Sequence, residues 1–314
     1  MGRRALALAI VAAQTIGCGA EVPHGGAVDP TTAPHIVKSR LEATDLIARD
    51  LELVVRVDVG RIGSELGPDL MGRLRARALE APSVEGDPIA PWLAHAMAHA
   101  EIVWIGVRLD ASGGADRVLV AEGRIPPYPL VSGQLAATPS GVADVSVLDR
   151  RGPLARADLA RVVTVRDRLV AFASAVEMDG SLRALTSGRG DEPLEPAAEG
   201  LLSFDAASLH LPPPYDTRFP ALARALRHVD RARGVVSASD RALRLETELR
   251  AKTPEGAVVL AKLFEALRDE PADDGGPTLL AGAQIEREER LVRVAWTVPG
   301  WLVASLFEGG TPPQ

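Results

Sequence analysis

Two histidines of this chain are spaced as two metal ligands on one helix would be. His95 and His99 lie four residues apart in a segment with helical periodicity, so their imidazoles would align on one helix face, as a zinc site requires. The residue after His95 is Ala96, whereas zinc metalloproteases carry a catalytic glutamate there. No third ligand has a recognisable spacing. We therefore expect no metal and no cofactor, with His95 and His99 as the candidate ligands and a helix that packs through Leu93 and Met97 as the alternative.

Paired acids and a serine offer a second kind of chemistry. Asp58 and Asp205 follow similar apolar patterns, and together they could form a catalytic pair of carboxylates. An aspartate at the end of a strand more often accepts hydrogen bonds from the backbone amides of the next turn, and we favour that interpretation. Ser203 and His210 lie near Asp205 without a Gly-x-Ser-x-Gly elbow. Because triads are assembled in space, a hydrolase site built from the two aspartates and the two histidines stays as an alternative.

The single cysteine, Cys18, stands where a secretion signal would end. It follows a basic start at Arg3 and Arg4 and an apolar run over residues 5–13. A membrane-spanning helix needs about 20 apolar residues, so this run is too short for a span and is typical of a removable signal. Small residues flank the thiol, and a polar segment follows it, which argues against a cysteine buried in a core.

The four residues Thr15-Ile16-Gly17-Cys18 resemble the end of a bacterial lipoprotein signal. In that family a Leu-small-small-Cys box places the thiol for diacylglyceryl transfer before cleavage in front of the cysteine; here Thr15 stands where leucine is usual. The resemblance implies that residues 1–17 are removed and that Cys18 becomes a lipidated N-terminus. Gly19 follows, whereas an aspartate is the usual signal for inner-membrane retention, so the analogy favours the outer membrane. An ordinary signal cleaved near Ala20 and a cytosolic start are the alternatives.

Composition excludes one class of partner. The 314 residues carry a formal charge of −7, and loss of Arg3 and Arg4 with the signal would make it −9. Such an acidic protein lacks the positive surface that binds phosphate backbones, so we expect no nucleic-acid partner. With 46% hydrophobic residues the chain can bury a substantial core. A single cysteine excludes a disulfide within the chain.

The chain divides by composition into a tether and two folded parts. Residues 18–44 are rich in Gly, Pro, Thr and charge without periodicity, which predicts a flexible tether behind the lipidated residue. We expect one α+β unit over residues 45–197, a second over 198–308, and a short tail over 309–314.

Three pairs of similar segments occur in the same order in the two predicted units, which suggests an internal duplication. Their offsets are 147, 124 and 122 residues. Each match alone is short and uses the commonest letters of this chain. The paired segments are Val54–Ile62 with Leu201–Leu209, Asp116–Leu119 with Asp240–Leu243, and Asp167–Ala173 with Glu289–Ala295.

Periodicity predicts sheets with one wet face and a few helices. Apolar residues alternate with charged ones over 52–59 and 243–250, as in half-buried antiparallel strands. Charged pairs at 166–167 and 288–289 interrupt apolar runs where hairpins would turn, and residues 102–109 and 117–122 form a further hairpin around a Ser-Gly-Gly turn. Helices are predicted over 68–79, 219–228, 254–268 and 299–307, the third with Thr253 as its N-cap. The predicted fold class is α+β, a mostly antiparallel sheet with helices on one face.

These features favour a membrane-anchored envelope lipoprotein with a non-catalytic binding or structural role. Its partners would be the membrane, through the lipid, and an envelope protein, a lipid or a glycan. Low aromatic content, 4%, argues against a dedicated sugar-stacking surface. A hydrolase and a carrier of an apolar ligand are the alternatives, and a pocket that combined both histidines with an acid would favour the hydrolase.

Overall fold

The structure is a computed structural model that describes residues 41–48, 50–67, 72, 87–109, 115–128, 135–152, 159–187, 193–207, 209, 217, 220–239, 242–269 and 280–298. These residues form two compact units. The C-terminal unit combines residues 52–67 with 194–298, and the middle unit combines residues 41–51 with 87–193. Residues 52–67 were expected in the first unit; in the structure residues 53–57 pair with residues 202–206 of the C-terminal unit.

The C-terminal unit is built on six antiparallel strands in the order β1-β8-β9-β10-β12-β11. Residues 53–57 of β1 pair with residues 202–206 of β8, although about 140 residues separate them along the chain. The strands are β1 Leu53–Asp58, β8 Leu202–Ala206, β9 Val229–Ser239, β10 Ala242–Ala251, β11 Gln284–Glu288 and β12 Leu291–Val298.

The described residues of this unit include the helices α1 Val59–Leu66, α4 Pro220–Leu226 and α5 Pro254–Asp269. Helix α5 begins where the sequence predicted, because the Thr253 hydroxyl accepts a hydrogen bond from the Gly256 amide at 3.1 Å and Pro254 occupies the first turn. One face of α5 packs against β10, β11 and β12. There Leu260 and Trp296 are buried in the core of the unit.

The middle unit has six antiparallel strands in the order β2-β3-β7-β6-β5-β4. Its helices are α2 Ala90–His99 and α3 Met178–Ser187, and a single 3₁₀ turn covers Ala43–Leu46. The strands are β2 Ile102–Leu109, β3 Ala115–Glu122, β4 Leu135–Thr138, β5 Val145–Arg150, β6 Leu159–Val165 and β7 Leu169–Ser174.

Residues 41–51 pack against one face of the middle sheet. Leu41 and Leu46 are buried, and Arg168 donates a hydrogen bond to the Leu41 carbonyl. Gly106 in β2 leaves the space that the side chains of Ile47 and Leu51 fill. The first described residue, Leu41, is therefore already packed. It lies within residues 18–44, which were predicted to form a flexible tether.

The predicted fold class is confirmed: the chain is α+β, with antiparallel strands and helices on one side of the sheet. The hairpins at 166–167 and 288–289 are confirmed as well, since β6 joins β7 and β11 joins β12 there. In both turns a non-glycine residue adopts positive φ, Arg166 at 51° and Glu289 at 40°. Within the described ranges, no helix is both long enough and apolar enough to cross a membrane.

The predicted wet face of β1 is wrong. Val54 and Arg56, on the face expected to be charged and exposed, are buried at 3% and 5% exposure, whereas β10 alternates as predicted. The reason is that residues 195–197 lie over this face. The Ala197 carbonyl accepts a hydrogen bond from Ser203, which is paired with Arg56 across the strands.

The two units contain the same four-stranded pattern. The order β2-β3-β7-β6 in the middle unit matches β9-β10-β12-β11 in the C-terminal unit. Leu169 and Leu291, predicted as equivalent, each begin the second strand of the last hairpin. Leu169 pairs with Glu122 and Leu291 pairs with Arg250, so the segment Asp116–Leu119 aligns four residues beyond the predicted Asp240–Leu243. That register is wrong, and the duplication itself stays a prediction.

Several predicted features lie outside the described residues. They are Cys18 and the signal, most of the tether, the helices over 68–79 and 299–307, Asp240, the turn over 112–114, His210 and the tail.

Candidate functional site

Asp205 is the centre of a buried ion cluster in the C-terminal unit. It lies within β8 and is 0% exposed. Arg231 donates two hydrogen bonds to its carboxylate at 2.9 and 2.6 Å, Arg233 donates one at 3.2 Å, and the Glu195 amide donates one at 3.0 Å. Burial raises the pKa of Asp205, but the bonds from Arg231 and Glu195 outweigh it and hold the pKa below its ordinary value. Asp205 therefore stays ionised with its oxygens occupied, as a structural carboxylate would.

Asp58 has a different role, at the end of β1. Its carboxylate accepts a hydrogen bond from the Arg61 amide at 2.8 Å and so caps α1, and Arg56 bonds to it at 3.0 Å. This confirms for Asp58 the interpretation that a strand-ending aspartate binds the amides of the next turn. Val54 lies opposite Asp205, and Asp58 is four residues further along, about 13 Å at the usual rise of a strand. The two carboxylates do not form a dyad.

Ser203 is held as a structural hydroxyl. It is buried, and its Oγ donates a hydrogen bond to the Ala197 carbonyl at 2.6 Å. Asp205 is on the same strand two residues later, with its oxygens bound to arginines. Neither group acts as the partner of the other in the way a catalytic triad needs.

In the middle unit, Arg108 joins a buried acid to an exposed one. Its Nε donates to Glu177 at 2.5 Å, and its Nη2 lies 2.9 Å from Asp50. Glu177 is 1% exposed, and the bond to it raises the pKa of Arg108 above its ordinary value. The bond from Arg108 lowers the pKa of Asp50. These contacts link Asp50, in the segment before β1, and Glu177, just before α3, to Arg108 on β2.

A second arginine cluster crosses β5 and β6. Arg161 donates to both oxygens of Asp149 at 2.6 and 2.8 Å and to the Met178 carbonyl at 2.5 Å. Thr138 on β4 donates to Asp149 at 2.6 Å. Burial raises the pKa of Asp149, and the bonds from Arg161 and Thr138 lower it further than burial raises it. The paired arginine keeps this half-buried carboxylate charged.

The predicted histidine pair lies on a helix, as expected. His95 and His99 occupy the last two turns of α2, and their ring centroids are 4.5 Å apart. His95 Nε2 is 2.9 Å from the Pro126 carbonyl, and His99 Nδ1 is 2.9 Å from the His95 carbonyl. Tyr128 packs on His95 at 5.2 Å between centroids. The structure therefore brings the two imidazoles together in the middle unit, whereas Asp58 and Asp205 belong to the C-terminal unit.

In the part of the chain that the structure describes, no group of three or more His, Cys, Asp or Glu residues could hold a metal ion. The two histidines remain the residues that could contribute ligands. Sequence reasoning missed the arginine clusters around Asp149, Asp205 and Glu177. Their signal was a charged residue inside an apolar strand, such as Arg161 in the run Leu159–Val165.

Comparison with known proteins gives a likeness of fold. No family model matches the chain, and no curated protein matches it. Two crystal forms of TP0453, forms III and IV, are similar solved structures, each with a TM-score of 0.50 and 12% sequence identity. The similarity covers 87% and 86% of this chain and 100% and 98% of TP0453. At this identity the likeness concerns the fold alone.

Proposed function

We propose that this protein is a membrane-anchored lipoprotein of the cell envelope with a non-catalytic binding or structural role. The observation that carries the proposal is the signal-like order of basic residues, apolar run, small residues and Cys18 in the sequence. The carboxylates of the described units support the second part. Asp58 caps a helix, and Asp149 and Asp205 are bound by arginines, so these acids stabilise the fold.

The anchor would hold the folded units at the membrane through Cys18. Gly19 follows the cysteine, and by analogy with lipoprotein sorting we place the protein in the outer membrane. Its partners would then be the membrane itself and an envelope protein, lipid or glycan. The protein carries a formal charge of −7 before processing, so we expect it to lack the positive surface that binds the phosphates of nucleic acids.

Mass spectrometry of the membrane fraction tests the anchor. We expect an N-terminal peptide that begins at Cys18 and carries a diacylglyceryl group. The variant Cys18→Ser has no thiol to accept the diacylglyceryl group, so its N-terminal peptide should carry no lipid, with its folded units intact by circular dichroism. An N-terminus after Cys18 without lipid, or an intact Met1, would contradict the anchor.

Membrane separation tests the location with a matched variant. In a host with an outer membrane, the wild-type protein should sediment with outer-membrane vesicles. Gly19→Asp changes a single residue beside the lipidation site and should move the protein to inner-membrane vesicles. Recovery of the wild type in the inner membrane would overturn the sorting proposal and leave the lipidation result untouched.

We also propose that the two units arose by duplication. The common strand order and the equivalent starts of β7 and β12 at Leu169 and Leu291 support it. In a crystal structure, superposition of β2-β3-β7-β6 on β9-β10-β12-β11 should bring the Cα atoms of these two leucines together. Strands that superpose only with reversed direction would contradict the duplication.

A further inference from the structure

The histidine pair of α2 has fixed tautomers. A backbone carbonyl only accepts hydrogen bonds, so His95 must donate from Nε2 to Pro126, and His99 must donate from Nδ1 to the His95 carbonyl. The lone pairs of the neutral rings are then on Nδ1 of His95 and Nε2 of His99. Both rings are thus prepared as ligands, because metal-binding histidines almost always donate their other N–H to a carbonyl or a carboxylate.

The helix explains why the rings lie so close together. Side chains on a helix lean toward its N-terminus, so a residue at i+4 reaches back over residue i. His99 does so here, and its bond to the His95 carbonyl holds its ring against the preceding turn. Tyr128 packs against His95, and the Pro126 bond fixes that ring from the segment after β3. Each ring is therefore held in place by a hydrogen bond on the nitrogen that would not bind the ion.

The ring separation bears on whether both rings can reach one ion. With metal–nitrogen bonds of about 2.0 Å, the ring centroids lie about 3.1 Å from the metal. Two such rings at a right angle have centroids about 4.5 Å apart, whereas a tetrahedral angle separates them by about 5.1 Å. The observed distance is 4.5 Å. The separation is thus short enough for one ion to bind both rings, and the choice of ion rests on its affinity for nitrogen ligands.

We propose that His95 Nδ1 and His99 Nε2 bind one Cu(II) ion in adjacent positions of a tetragonal site. His99 is exposed and His95 is half-buried, so water can occupy the remaining positions. This site has two protein ligands and an open coordination sphere, which differs from the closed zinc site that the i, i+4 spacing first suggested. Divalent copper also binds nitrogen ligands more tightly than the other divalent first-row metals do.

Copper titration of the full mature chain tests the site, with electron paramagnetic resonance as the structural readout. We expect one equivalent whose spectrum shows coupling to two imidazole nitrogens. His95→Gln and His99→Gln should each weaken its binding at least tenfold. His228→Gln, which changes a histidine of the C-terminal unit, should leave it unchanged. Glutamine keeps an amide donor for the Pro126 carbonyl, and circular dichroism will show that each variant folds.

Three results would overturn the proposal. The first is copper binding of unchanged stoichiometry and affinity in the double variant His95→Gln/His99→Gln, which would place the ion on other ligands. The second is a spectrum with one nitrogen or with sulfur coordination. The third is Zn(II) binding at the same two histidines more tightly than Cu(II), because that order would indicate a tetrahedral site.

Discussion

The two four-stranded ladders, β2-β3-β7-β6 and β9-β10-β12-β11, share one strand order, but their faces differ in solvent exposure. In the middle unit all six residues of β7 are buried, so this strand is covered on both faces. In the C-terminal unit one side of β10 is half-buried to buried, and the other side carries the exposed residues Arg244, Glu246, Glu248 and Arg250. Strand order therefore does not determine which faces of a sheet are covered. The coverage depends on the segments that pack outside the ladder.

Two ion pairs, one in each unit, show the consequence. Asp149 lies directly opposite Arg161, and Glu248 lies directly opposite Arg293, in neighbouring antiparallel strands. The first pair has side chains 17% and 5% exposed, and the second 52% and 42%. Loss of one partner leaves the other charge without a partner in a site with little access to water in the first pair. In the second pair, water solvates the remaining charge.

The largest effect should come from the doubly covered strand. Phe172→Ala removes a fully buried ring from β7 and should lower the free energy of unfolding by about 4 kcal/mol, because it leaves a cavity. Glu246→Ala on the exposed side of β10 should change it by less than about 0.5 kcal/mol. Urea unfolding measures both. Equal losses would show that the two ladders are covered alike.

These two ion pairs give the next largest difference. Arg161→Met should cost about 3 kcal/mol, because it leaves Asp149 without its charge partner and the Met178 carbonyl without its donor. Arg293→Met should cost much less, because solvent screens that exposed pair. The double variant Arg161→Met/Asp149→Leu should recover part of the loss. A similar cost for the two single variants, in the same urea titration, would remove the distinction between the ladders.

Glycines in the first strand of each ladder provide a smaller contrast. A Cβ at Gly234 in β9 would meet the ring of Phe204, and one at Gly106 in β2 would meet the side-chain ends of Leu51 and Ile47. We expect Gly234→Ala to cost about 2 kcal/mol and Gly106→Ala about 1 kcal/mol, since aliphatic ends rotate away more easily than a ring. Thermal unfolding of the two variants compares them, and the reverse order would show that residues 47–51 are the more rigid neighbours.

The smallest expected effect is in the pH dependence. Asp149 and Asp205 have pKa values below that of an unfolded aspartate, so each contributes stability that is present above about pH 4 and is lost as the pH falls through the folded value. Asp149→Asn and Asp205→Asn should each flatten the decline in urea midpoint between pH 5 and 2, at a general cost in stability. Asp269→Asn, in an exposed pair with Arg268, should keep the wild-type slope because solvent screens that pair.

Elements whose signals are local in the sequence could be predicted. The helix predicted over 254–268 occupies Pro254–Asp269. Its start could be predicted because the capping signal is local and consists of the adjacent residues Thr253 and Pro254. The strand predicted over 102–109 is β2, and the charged pairs at 166–167 and 288–289 are hairpin turns.

The faces and clusters could not be predicted from local pattern. The burial of Val54 and Arg56 depends on residues 195–197, which follow them by about 140 positions. The arginine partner of Asp205 is on the next strand, and the tautomer of His95 depends on Pro126, 31 residues away. The i, i+4 spacing predicted that two imidazoles share a helix face, but the distance between their rings depends on how each side chain is held.

The pairing of β1 with β8 has a consequence for the timing of synthesis. When Leu53–Asp58 leaves the ribosome, roughly 140 further residues must be made before Leu202–Ala206 is available. At about 5–20 residues per second, β1 waits about 7–30 s for its partner, while its run of valines can associate with other chains. The middle unit is complete by residue 187 in its described elements, before β8 is made. Cells that make this protein rapidly should therefore depend on a holding chaperone for β1 more than for any strand of the middle unit.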